Sequence, residues 1–174
     1  MVPELKLVKE PAGASAPAPE FLEAMSALAS GVVLVTCLVD GRPWGMTATA
    51  FASVAADPPT VLISLRSTGV SGRAIAASRR FGINILAGGQ EAVARQGSAP
   101  GAPKFIDGLA VPGALAYLEC ELVDMTEIAD HSVFFGRVLT ARALHEGEPL
   151  VYHRRAYRTV SDPVTTKEMS CLLS

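Results

Sequence analysis

The stretch GMTATAFASVAADPPTVLISL, residues 45–65, decides the fold. Its first half is apolar enough to be buried, yet residues 47–50 alternate two hydroxyls with two methyls and contain no large side chain. Strands that face a core are usually rich in Val, Ile and aromatic residues. Side chains this small indicate that another piece of backbone, or a flat ligand, lies close to this predicted strand 45–54.

The neighbouring segments predict a mainly antiparallel β protein. Residues 32–39, VVLVTCLV, are rich in β-branched residues, and Asp40–Gly41 is a tight-hairpin signal that leads into the next strand. The DPP sequence at 57–59 breaks that strand, and TVLISL resumes as an apolar strand. Further strands are predicted in the segments 80–86, 113–129, 131–145 and 149–160, and short helices in 19–30, 69–78 and 88–96.

These segments are joined by connections too short for repeated βαβ crossovers, so a parallel sheet is disfavoured. We predict a mainly β fold, a six- to seven-stranded antiparallel Greek-key barrel with two or three short flanking helices. We expect one domain over residues 19–160, between a flexible leader at 1–18 and a flexible tail at 161–174, because both ends offer little to bury.

Composition excludes several classes of function. A formal net charge of −2, with 15 basic and 17 acidic residues, provides no field for nucleic acid or an anionic membrane. Three cysteines and three histidines share no metal-binding spacing, and an odd cysteine count argues against a secreted disulfide framework. With neither a signal-peptide pattern nor a transmembrane-length apolar run, the expected location is the cytoplasm, with no membrane or nucleic-acid partner.

Catalytic motifs such as GxSxG, the P-loop, HExxH and GxGxxG do not occur, so an enzyme of this sequence would borrow its chemistry from a cofactor. Residues 47–50 can offer backbone N–H groups and a surface without protruding side chains to a planar ring. The segment SLRSTGVSGR, residues 64–73, offers hydroxyls and two arginines, with Ser71 at the start of a predicted helix that favours an anion. Together they suit a mononucleotide such as FMN; an ordinary serine-rich helix cap is the alternative.

In their order along the chain, several segments resemble the flavin reductase family, which has the FMN-binding split-barrel fold. The resemblance covers about residues 20–160 and rests on GVVLVT, GMTATAFASVAADPPTVLISL, RFGINILAGGQ, KF, GALAYLEC, DHSVFFGRV and PLVYHRRAYR. It implies an NAD(P)H:flavin oxidoreductase that transfers hydride from NADH, or NADPH, to FMN or FAD. It also implies a homodimer that supplies diffusible reduced flavin to a partner flavin-dependent monooxygenase.

The resemblance assigns roles by matching position. The isoalloxazine ring would be held by the backbone of Thr47, Ala48, Thr49 and Ala50. The ribityl chain and phosphate would be surrounded by Ser64, Leu65, Arg66, Ser67, Thr68 and Ser71.

The remaining matched positions each have an alternative interpretation. Asn84 would lie near the flavin, or bond its own loop. Lys104 and Phe105 would lie by the flavin or its adenine portion, although Lys104 could equally make a surface ion pair. The resemblance puts His131 near the nicotinamide, as the catalytic candidate, whereas a lone histidine is more often a satisfied strand-end residue. The resemblance also implies that Tyr157 and Arg158 help hold NADH, and no metal is expected.

One departure from the family is the stretch IDGLAVP, residues 106–112, where many relatives have a longer loop that helps cover the flavin. It leaves the choice between FMN and FAD open. The alternative functions are a split-barrel flavoprotein that reduces another acceptor, such as a corrinoid or ferric chelate, and a non-enzymatic flavin-binding protein. A pyridoxamine-phosphate oxidase-like enzyme is less favoured, because a second phosphate site is not evident.

Overall fold

The computed structural model describes residues 15–160, so residues 1–14 of the predicted leader and all of the predicted tail lie outside the described residues. Ten strands and three helices make up the described chain. In chain order they are α1 (Ala18–Ser26), β1 (Ser30–Gly31), β2 (Val33–Val39), β3 (Arg42–Ala48), β4 (Phe51–Ala56), β5 (Pro59–Arg66), α2 (Val70–Ser78), β6 (Arg80–Ile85), α3 (Glu91–Ser98), β7 (Ala116–Ile128), β8 (His131–Ala143), β9 (Leu150–His153) and β10 (Ala156–Thr159).

Seven strands form one antiparallel sheet in the order β3-β2-β6-β7-β8-β5-β4, and β1, β9 and β10 form a second. The two edge strands of the large sheet, β3 and β4, are separated in the chain only by Thr49 and Ala50. Because so short a connection spans about 11 Å at most, the sheet must curl until its edges approach. The Ser64 amide donates to the Ala50 carbonyl at 3.0 Å, which extends the pairing of β4 with β5 into this connection. The predicted mainly β barrel class is confirmed.

Most strand boundaries in the structure lie close to the positions that the turn residues predicted. The hairpin predicted at Asp40–Gly41 is confirmed, since φ is +51° and +73° at these two residues, as a primed turn requires. The strand predicted over 45–54 is wrong in one respect, because Thr49 and Ala50 interrupt it and it continues as β4 at the opposite edge of the sheet. The two-residue strand β1 was not predicted.

Two apolar clusters lie on opposite faces of β2, as strand alternation requires. Val33 and Val35 point into the barrel among residues such as Phe134. Leu34 points the other way, into a smaller cluster that includes Ala94 of α3 and Leu150 of β9. The barrel therefore has a packed interior, and α3 and the small sheet are attached to its outside.

The three helices differ in how they contact the barrel. α2 and α3 each bury residues against it, among them Ser71, Ile75, Ala94 and Gly97. The first helix, α1, buries none of its residues. Among residues 15–160, no helix has both the length and the apolar character needed to cross a bilayer.

Candidate active site

A cavity of about 720 Å³ opens at the barrel seam, where β3 passes into β4. Four parts of the chain line it: the end of β3 with its connection to β4, the end of β5, the start of α2, and the loop after α3. His131 at the start of β8 completes the wall. The lining residues are Trp44, Met46, Thr47, Ala48, Thr49, Ala50, Ser64, Leu65, Arg66, Gly69, Val70, Ser71, Gly101, Ala102, Pro103, Lys104, Phe105 and His131.

The small side chains of residues 47–50 have two separate causes in the structure. Thr47 Oγ1 donates to the Ala94 carbonyl of α3 at 2.7 Å, and a Cβ added to Gly97 would clash with Thr47 Oγ1. Helix α3 thus approaches β3 closely at Thr47. Thr49 and Ala50 are exposed at the cavity instead. A nearby backbone therefore explains the small side chain at Thr47, whereas room for a ligand explains those at Thr49 and Ala50.

Helix α2 points its N-terminus at the cavity. Gly69 precedes its first turn, and Ser71 lies in that turn with a side chain that is 1% exposed. Within residues 15–160 the Ser71 hydroxyl has no hydrogen-bond partner. The Cys37 thiol lies close enough for this hydroxyl to lower the thiol's pKa, against the larger effect of burial. The two groups nevertheless do not have the geometry of a hydrogen bond. A buried hydroxyl without a partner is costly, so this one fits an anionic ligand at the helix N-terminus.

A charged part of the cavity wall is built where β5 pairs with β8. Arg66 and His131 are register partners there, although 65 positions separate them in the chain. Asp130 lies beside both: its carboxylate is 2.7 Å from His131 Nδ1 and 3.6 Å from the Arg66 guanidinium. The hydrogen bond from His131 is the main cause that lowers the pKa of the Asp130 carboxyl, and the charge of the Arg66 guanidinium lowers it further.

An aromatic corner closes a third side. The Trp44 and Phe105 rings meet edge to face with centroids 5.0 Å apart, and the Arg42 guanidinium lies 3.8 Å from the Phe105 ring centre. The Gly45 amide donates to the Lys104 carbonyl at 2.9 Å, which fastens the loop after α3 to the outer edge of β3. The loop that carries Lys104 and Phe105 is thereby held against the cavity.

Comparison with known proteins identifies the family. Residues 25–161 match the family model described as "Flavin reductase like domain". The chain belongs to this family.

Its relatives are named as reductases. The reductase component of a 4-nitrophenol 4-monooxygenase/4-nitrocatechol 2-monooxygenase from Rhodococcus opacus is 39% identical over 143 residues, 78% of this chain and 77% of that protein. The reductase component of a 4-hydroxyphenylacetate 3-monooxygenase from Thermus thermophilus is 36% identical over 148 residues, 82% of this chain and 97% of that protein.

A solved structure agrees with these sequence matches. The NADH:FAD oxidoreductase SgcE6 of Streptomyces globisporus C-1027, in complex with NAD and FAD fragments, superposes with a TM-score of 0.78. It shares 28% sequence identity, and the match covers 87% of this chain and all of that one.

Within this flavin reductase-like domain, some predicted site residues lie outside the cavity lining. Ser67 and Thr68 belong to the turn after β5; Ser67 bonds Ser132, and the Thr68 carbonyl accepts from Arg73. Tyr157 packs against Tyr152 in the smaller apolar cluster, and Arg158 is exposed on the neighbouring sheet. The structure therefore does not bring these four predicted residues into the cavity of the single chain.

Asn84 takes the second of its two predicted roles. Its side chain is fully buried, donates to the Leu34 and Leu109 carbonyls at 3.3 and 3.0 Å, and accepts from the Val111 amide at 2.7 Å. Thr36 donates to the same Leu109 carbonyl at 2.8 Å. The short loop at 106–112 is thus fastened to the barrel by Asn84, which does not line the cavity. Its predicted place near a flavin stays a prediction.

The loop residues Gly101, Ala102 and Pro103 line the cavity but were not predicted from the sequence. A loop rich in Gly, Ala and Pro has no side chain that indicates binding or catalysis. Only its hydrogen bond to β3, seen in the structure, shows that it lies beside the cavity. Among the described residues, no group of three or more His, Cys, Asp or Glu side chains is placed to hold a metal ion.

Proposed function

We propose that this chain is an NAD(P)H-dependent flavin reductase that transfers hydride from NADH to FMN or FAD, with residues 19–160 as its catalytic domain. The observation that carries the proposal is the cavity at the barrel seam. Small residues line it together with the N-terminus of α2, where the buried Ser71 hydroxyl has no hydrogen-bond partner within residues 15–160. The names of the relatives, which include an NADH-dependent flavin reductase from Rhodococcus, support the same reaction.

The described residues fit a flavin. Thr49 and Ala50 would carry the ring on backbone groups, and the N-terminus of α2 with Ser71 would hold the phosphate, aided by Arg66. When bound, the flavin supplies the ring system that accepts a hydride. The chain's own contribution is to orient the two ligands and exclude water, which needs contact surfaces and no strong acid or base.

The nicotinamide end would lie at His131, which lines the cavity beside Arg66. A hydrogen-bonding imidazole at this end suits the carboxamide group of a nicotinamide. Tyr157 and Arg158 lie outside this lining, so a role for them in holding NADH requires either a ligand that extends beyond the cavity or a second subunit.

We also infer that the chain forms a homodimer, that it works in the cytoplasm and that its reduced flavin passes to a partner monooxygenase. Helix α1 and the residues just after it support the dimer, since Phe21 and Leu22 in the helix and Leu28 beyond it are each more than half exposed and would gain by burial. The monooxygenase partner is supported by relatives named as reductase components. Sedimentation of the purified protein tests the dimer directly.

The decisive experiment mixes the protein with NADH and adds FMN, FAD or riboflavin in turn while absorbance at 340 nm is followed. NADH oxidation that requires added flavin supports a reductase with a diffusible flavin and ranks its flavin preference. Flavin binding without NADH oxidation would contradict the reductase and favour a flavin carrier. A flavin that stays bound through turnover would contradict transfer to a partner.

A further inference from the structure

Asp130 contacts two cavity-lining side chains from outside the cavity lining. Its Oδ1 lies 2.7 Å from His131 Nδ1, and its Oδ2 lies 3.6 Å from Arg66 Nη1. Arg66 and His131 line the cavity, whereas Asp130 does not. We propose that Asp130 is a positioning residue, which holds His131 with Nδ1–H toward its carboxylate and leaves Nε2 for NADH. This inference rests on the proposed reductase function.

The turn that carries Asp130 is fixed to the end of β5 by backbone and hydroxyl contacts. The Ser67 amide donates to the Asp130 carbonyl at 3.0 Å. The Ser132 hydroxyl, 2% exposed, donates to the Ser67 hydroxyl at 3.0 Å. These bonds hold the backbone of the turn beside the end of β5, which keeps the Asp130 carboxylate within reach of Arg66 and His131.

The chemistry of the contact selects the state of the imidazole. An ionised carboxylate only accepts hydrogen bonds, so the ring nitrogen that faces it must carry a hydrogen. The lowered pKa of Asp130 keeps this carboxylate charged at neutral pH. In the neutral ring of His131, Nε2 is then an acceptor. Without the carboxylate, neither nitrogen is selected as the one that carries the hydrogen.

An acceptor nitrogen beside the cavity fits the amide N–H group of a nicotinamide carboxamide. Asp130 would therefore affect the binding of NADH through His131. Its contact with Arg66 is longer, 3.6 Å between exposed groups, and is weak, so the binding of flavin should change much less. The affected quantity in steady-state kinetics is the KM for NADH, because the predicted loss is one of substrate orientation and binding.

The test compares the Asp130→Asn and Asp130→Ala variants with the wild-type chain. In Asp130→Asn, KM for NADH should rise about fivefold while the flavin dissociation constant stays within twofold, since the contact is exposed to solvent and moderate in strength. In alkaline buffer, long-range 1H–15N correlation spectra should show the Nδ1-protonated tautomer of His131 in the wild type. Both variants should show a mixture of the Nδ1 and Nε2 tautomers. A His131→Gln variant assigns the signal.

The matched control is Glu121→Gln, which removes a partly exposed carboxylate that lies 2.8 Å from Arg137, away from the cavity. It should change neither KM nor the His131 spectrum. An unchanged His131 tautomer in both Asp130 variants overturns the proposal, and so does a changed tautomer with an unchanged KM. If the wild-type chain fails to oxidise NADH, the proposed function fails, and the spectra still decide whether Asp130 orients His131.

Discussion

At the scale of single residues, Thr49 is the position where the floor of the cavity depends on side-chain size. Thr49 is exposed and lines the cavity, so Thr49→Leu adds bulk where a ring would lie and leaves the packed core untouched. We expect the dissociation constant for flavin to rise at least about tenfold, a loss of about 1.4 kcal/mol, with the melting temperature nearly unchanged. Isothermal titration with FMN measures it.

The control for this change is Thr126→Leu on β7, which makes the same replacement outside the cavity lining. It should leave flavin affinity as it is in the wild type. Unchanged affinity in Thr49→Leu would mean that the ring lies elsewhere.

Ser71 gives a second prediction at this scale. Its hydroxyl is buried and has no partner within residues 15–160, so it contributes little to the stability of the chain without a ligand. Ser71→Ala should therefore leave the free energy of unfolding unchanged or slightly higher, while FMN affinity falls by about 1 to 2 kcal/mol. Urea unfolding and FMN titration separate the two effects. Riboflavin, which lacks the phosphate, should lose much less affinity.

At the scale of elements, the contact between α3 and β3 depends on Gly97. A Cβ at this position would lie 2.6 Å from a Leu34 methyl and 2.9 Å from the Thr47 backbone nitrogen, closer than real contacts allow. Gly97→Ala should destabilise the protein by about 1 to 3 kcal/mol, although alanine normally favours a helix. Thermal unfolding measures the loss.

Gly31→Ala is the control, because a Cβ there would meet no atom within 4 Å and the backbone needs no positive φ. Equal melting temperatures for Gly97→Ala and the wild type would show that α3 can move away from β3 at no cost. Flavin affinity should fall with Gly97→Ala too, since Thr47 lines the cavity and bonds α3.

At the scale of the whole molecule, two buried thiols make the fold sensitive to alkali. Burial raises the pKa of Cys37 to about 11 and that of Cys120 to about 12, from an ordinary value of 9.0. A raised folded-state pKa favours the protonated thiol, so its contribution is intact below about pH 9 and is lost as pH rises toward 11 or 12. At about pH 10 each thiol should cost the folded state about 1 kcal/mol.

Urea unfolding at about pH 8 and about pH 10 measures this loss. A Cys37→Ala, Cys120→Ala double variant should show a smaller drop between the two pH values, which separates the thiols from other alkaline titrations such as that of Tyr117. An identical drop in both proteins would mean that the thiols titrate alike in the folded and unfolded states.

Some properties of this protein follow from the sequence by itself. The tight turn at Asp40–Gly41, the strand at 60–65 and the small residues at 47–50 depend on neighbours within a few positions, so composition and spacing predicted them. The absence of familiar catalytic motifs, together with the helix start at Ser71, favoured a cofactor enzyme for the same local reason.

Only the tertiary structure decided the rest, because it depends on pairings between distant parts of the chain. Register between β5 and β8 brings Arg66 to His131 and its chain neighbour Asp130, and no spacing in the sequence encodes that meeting. The close approach of α3 explains Thr47, and burial against the 106–112 loop takes Asn84 away from the cavity. Local patterns determine which strands can form. The lateral order of those strands in the sheet determines which side chains meet at the seam.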